Sequence, residues 1–60
     1  MVFEKIEALA KEKGITVAAL EKSLGFGNGT IRGWKTKSPS LKNITRVARY
    51  LGVPVDYFVE

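Results

Sequence analysis

The chain contains no cysteine and no histidine among its 60 residues. Disulfides and thiolate or imidazole zinc sites are thereby excluded, as is any catalysis that needs an imidazole base or a thiol nucleophile. Acids are also scarce, six against ten lysines and arginines. They fall near the amino terminus, at Glu21 and near the carboxyl terminus, so no pair of carboxylates faces a plausible catalytic pocket. No apolar run approaches the ~20 residues needed to cross a bilayer. The amino-terminal MVFEKIEALAKEK mixes acids and bases within an amphipathic pattern, and is expected to be neither signal nor anchor. Gly25, Gly27 and Gly29 fail the G-x-G-x-x-G spacing of a nucleotide-binding loop, and no strand pattern precedes them. The chain is therefore read as no enzyme, with no cofactor, metal or small-molecule ligand implied. Its lack of cysteine fits the cytoplasm. Residues 1–60 have room for one domain, which would bury about 60% of the unfolded chain's surface.

What is present is an uneven distribution of charge. The net charge is +4, and residues 1–30 hold four lysines against four glutamates, so all the excess lies in residues 31–60. Between Glu21 and Asp56 there is no acid, while Lys22, Arg32, Lys35, Lys37, Lys42, Arg46 and Arg49 fall in that interval. Such a one-signed stretch is the footprint of a polyanion binder; the bland alternative is a basic surface kept for solubility.

Apolar spacing predicts helices throughout, with no strands or repeats. A first helix over about 2–13 follows from Phe3, Ile6, Leu9 and Ala10, with Gly14 as its stop. A second, over about 17–24, places Leu20 and Leu24 four apart behind Thr16, a good N-cap, and ends at Gly25. A third, over about 28–35, places Ile31 and Trp34 three apart on its inner side, with Gly27 or Asn28 at its start. Phe26 is expected to plug the turn before it. A fourth, over about 41–51, is capped by Ser40 and presents Leu41, Ile44, Val47, Ala48 and Leu51 as an inner stripe, and Gly52 closes it. A short fifth helix is expected over about 54–59, with Pro54 in its first turn.

The second and third helices, joined across a glycine-containing turn, have the layout of a helix-turn-helix. The outward face of the third carries Asn28, Gly29, Arg32, Gly33 and Thr36, which combines short polar groups, bare backbone and one guanidinium, a surface suited to a DNA major groove. The ordered set Leu20, Gly25, Thr30, Ile31, Trp34, Pro39, Ala48, Leu51, Gly52 and Asp56 resembles the lambda-repressor-like DNA-binding domains of the Cro/cI type, over nearly the whole chain. The resemblance implies an all-α, compact five-helix fold with the helix-turn-helix at the second and third helices. It also implies a transcriptional regulator whose third helix enters the major groove. Three departures stand out. Glu21 takes a position usually held by alanine where the motif helices cross, and its carboxylate is expected to meet Lys22 or Lys35. Val17 replaces a frequent phosphate-anchoring glutamine, and Gly27 replaces a common serine cap.

Arg32 is the foremost candidate for reading bases, because a guanidinium fork takes guanine O6 and N7 together; the competing role is a phosphate contact. Asn28, at the helix start, has the amide geometry to pair with adenine, or else caps the helix. Gly29 and Gly33 allow the backbone to approach the groove closely, or are simply tolerated. Backbone-contacting candidates are Thr16, Lys35, Thr36, Lys37, Lys42 and Asn43; for the cluster at the end of the third helix and the start of the fourth, the resemblance implies a grip on the phosphates. It also implies a possible homodimer through the fourth and fifth helices, where Val53, Val55, Tyr57 and Val59 offer an apolar patch. The runner-up reading is a small helical protein-interaction module, antitoxin-like or partner-docking, without useful DNA affinity.

Overall fold

Thr16 and Ser40 start helices in the structure as their side chains dictate. In the computed structural model, which describes residues 2–59, the Thr16 hydroxyl accepts from the amide of Ala19 at 3.0 Å and Ser40 from that of Asn43 at 3.1 Å. Each hydroxyl satisfies one of the amides that a helix start leaves without a carbonyl partner. The elements are α1 (Val2–Glu12), α2 (Val17–Leu24), a single 3-10 turn (Arg32–Lys35), α3 (Leu41–Leu51) and α4 (Asp56–Val59). The carboxyl end of α2 is closed by Gly25 at φ 75°. The Gly25 amide donates to the Lys22 carbonyl at 3.2 Å and the Phe26 amide to that of Glu21 at 2.9 Å, so two orphan carbonyls are satisfied in a conformation that a side chain would strain.

The described residues are all helix, turn and loop, and they hold four α-helices rather than the five expected. The third helix is the one replaced: residues 28–31 form turns, and only Arg32–Lys35 is helical, in the tighter 3-10 form. Gly29 is the physical reason that no helix starts at residue 28. It sits at φ +82°, a left-handed conformation that cannot belong to a right-handed helix, so regular structure begins after it. The last helix is also shorter than expected, starting at Asp56 after Pro54 and Val55.

One apolar cluster joins all of these elements. Ile6, Leu20, Ile31, Val47, Leu51 and Phe58 are sealed within it, with Phe3, Leu9, Val17, Trp34, Ile44 and Ala48 around them. Trp34 is 7% exposed and meets Phe26 edge-on, ring centroids 6.0 Å apart, so the expected core role of Trp34 and plug role of Phe26 both hold. Leu41 does not join the stripe and is 72% exposed. At about 100° per residue it lies roughly 70° from the mean direction of Ile44, Val47, Ala48 and Leu51, and it occupies the first turn of α3. No helix of the described residues is long and apolar enough to cross a membrane.

Candidate nucleic-acid interface

Glu21 is the residue that shapes this face. It lies four residues after Val17 and three before Leu24, on the inner side of α2, where a carboxylate is tolerable only if its lone pairs are matched. It is 3% exposed. Its Oε1 accepts from the amide of Gly29 at 3.1 Å. Its Oε2 accepts from Ile31 at 2.8 Å and from Arg32 at a longer 3.4 Å. The carboxylate therefore does not turn to Lys22 or Lys35; it caps residues 28–35, the expected recognition segment, from the neighbouring helix. It supplies the acceptors that a capping Asn28 would have provided, and negative charge at a cluster of aligned amides is electrostatically favourable. Sequence spacing held the signal, an acid on the Val17 and Leu24 side, but not the partner, because the donors are main-chain groups.

Internal hydrogen bonds complete the segment. Gly33 donates to the Gly29 carbonyl at 2.9 Å, Trp34 to Ile31 at 3.0 Å and Lys37 to Gly33 at 3.1 Å. Buried Ile31 and Trp34 fix its inner side, and Asn28, Gly29 and Arg32 are exposed with Gly33 half-buried beside them. A side chain at Gly29 or Gly33 would have met nothing within 4 Å. Gly29 is thus explained by its backbone angle rather than by crowding, and nothing within the fold requires glycine at Gly33.

Two of the candidates are brought together in an open notch of about 390 Å³, where Thr16 and Val17 at the start of α2 face Arg32, with Lys11 and Glu7 of α1 completing the walls. Thr36, Lys37 and Lys42 are exposed on the run from the 3-10 turn into α3, and Asn43 is half-buried. The Thr36 hydroxyl donates to the Gly33 carbonyl at 3.3 Å, and the Asn43 amide is taken by the Ser40 cap. Two of the basic side chains are engaged within the fold. The Lys35 ammonium sits 4.9 Å from the centre of the Phe3 ring. Arg46 lies over Phe26 at 4.8 Å and donates to the Leu24 carbonyl, so it tethers α3 to the end of α2. Among the residues proposed for dimerisation, Val53 and Val55 pack partly against the core and Tyr57 is 46% exposed. The side chain of Val59 lies outside the described residues.

The electrostatic consequence is simple. From Lys13 to Val55 the sequence holds one acid, Glu21, and the fold turns it inward. That whole stretch of surface therefore presents cations without an exposed carboxylate side chain.

A family model described as helix-turn-helix matches residues 6–58 of this chain. The match takes in both motif helices and the helices that close the core. No curated protein and no solved structure matches. The chain belongs to the lambda-repressor-like, Cro/cI-type helix-turn-helix family, a family of DNA-binding transcriptional regulators.

Proposed function

We propose that this helix-turn-helix protein binds double-stranded DNA sequence-specifically, with residues 28–35 in the major groove, as a cytoplasmic transcriptional regulator without enzymatic activity. The observation that carries this reading is that residues 13–55 expose no carboxylate side chain, Glu21 being withdrawn onto the amides of the 28–35 segment, while Glu7 of α1 borders the notch beside Arg32. Arg32 and Asn28 are the side chains that read bases, and Gly29 and Gly33 let the backbone come close. Thr16, Thr36, Lys37, Lys42 and Asn43 hold phosphates. Lys35 joins them by leaving the Phe3 ring, an exchange that costs under about 1 kcal/mol at an exposed site. A homodimer through α3 and α4, where Tyr57 is exposed, and a monomer are both compatible with this reading.

Binding to mixed-sequence duplex across a range of salt tests the electrostatic half. Four phosphate contacts from Lys22, Lys35, Lys37 and Lys42, with Arg46 held internally and Arg32 on the bases, predict a log–log slope of roughly −4. A flat response, or no binding at low salt, refutes the reading and favours a partner-docking module. Selection from random duplexes then returns the site, whose symmetry tests pairing of two copies.

A further inference from the structure

We propose that Glu21 is a specificity-determining positioning residue: its carboxylate sets where Asn28 and Arg32 are presented, so the discrimination between DNA sequences depends on an acid that never touches DNA. The inference rests on the DNA-binding reading above. Its physical basis is the division of the two oxygens. Oε1 holds Gly29 at 3.1 Å, and Oε2 holds Ile31 at 2.8 Å and Arg32 at 3.4 Å. These three amides bracket the left-handed step at Gly29 and the start of the 3-10 turn, so one rigid buried group fixes both the bend and the rotation of the segment about its axis. Hydrogen bonds to a charged acceptor are shorter and stronger than neutral ones, and burial strengthens them further. Glutamine has the same shape but only one acceptor oxygen. Whichever way its amide flips, an NH2 group faces the amide of Gly29 or that of Ile31, donor against donor, and the segment must shift.

The sign of the effect distinguishes positioning from simple charge. Removing an acid raises the net charge from +4 to +5, which by itself strengthens binding to a polyanion. Positioning predicts the reverse at the preferred site. The experiment compares wild type with Glu21→Gln on the duplex recovered from the random selection and on an unrelated duplex, below the melting temperature of both proteins. The expected result is an affinity loss of about tenfold on the selected duplex, corresponding to about 1.4 kcal/mol, with unchanged or tighter binding to the unrelated one. A role confined to stability lowers the melting temperature and leaves the ratio of the two affinities unchanged, and that outcome overturns the proposal. Should Glu21→Gln fail to fold, Glu21→Asp decides: it keeps the charge on a shorter stem, so the ratio of the two affinities must fall, and an unchanged ratio overturns the proposal. Failure of the wild type to bind any duplex refutes the DNA-binding reading itself, whereas normal wild-type binding with an unchanged ratio refutes only the role of Glu21.

Discussion

Trp34→Ala is the sharpest test of the core that supports the recognition segment. Trp34 is 7% exposed, belongs to the central cluster and meets Phe26 at 6.0 Å. A tryptophan in such a place buries about 150–250 Å², which at about 25 cal/mol per Å² is roughly 4–6 kcal/mol of transfer free energy. Alanine retains part of that, and the aromatic contact adds about 0.5–1.5 kcal/mol, so the net loss is about 3–5 kcal/mol, the usual range for this substitution. A domain of this length has total stability on the order of 3–9 kcal/mol, so the variant is expected to be largely unfolded at ambient temperature. Far-UV circular dichroism with urea titration measures this directly, and Trp34→Phe, which keeps an aromatic ring, should fall between the two. A Trp34→Ala protein with wild-type helicity and an unchanged urea midpoint would refute the placement of this side chain and of the segment it anchors.

The paired glycines give a second test. Gly29→Ala should cost about 1–2 kcal/mol, because its φ is +82°. Gly33→Ala, with ordinary backbone and open space around a new Cβ, should be neutral or stabilising by up to about 1 kcal/mol; equal melting shifts for the two would contradict the assigned backbone. Arg46→Ala removes the tether to Leu24 and Phe26 and should cost about 1 kcal/mol, seen as a fall of about 4–8 °C in melting temperature. Its salt slope for DNA should hardly change, and a slope reduced by one would show that Arg46 grips phosphate instead.

The helix boundaries at Thr16, Gly25, Ser40 and Gly52 were legible because caps act within three or four residues of their own position, so local sequence carries the whole interaction. The recognition segment was legible only in its inner side. Ile31 and Trp34 stand three apart, a spacing that fits an α-helix and equally one full turn of a 3-10 helix, so it does not tell them apart, and the left-handed step at Gly29 keeps residues 28 and 29 out of either. Leu41 illustrates a different limit: a leucine at the margin of an apolar stripe is buried only if another element reaches over it, and here it is 72% exposed. The role of Glu21 was hidden because its partners are backbone amides eight to eleven residues away, which have no residue type by which to announce themselves. The placement of Lys35 over Phe3 and Arg46 over Phe26 depends likewise on contacts between distant elements.

The central claim is that the segment over 28–35 reads sequence while the lysines beyond it grip. The direct measurement is the affinity of Arg32→Ala and Lys42→Ala for the selected duplex and for an unrelated one. Arg32→Ala should lose about 1–3 kcal/mol on the selected duplex and much less on the other, whereas Lys42→Ala should weaken both alike and lower the salt slope by about one. Equal losses on both duplexes for Arg32→Ala would contradict the claim, making Arg32 a phosphate contact beside Thr16 in the notch they share.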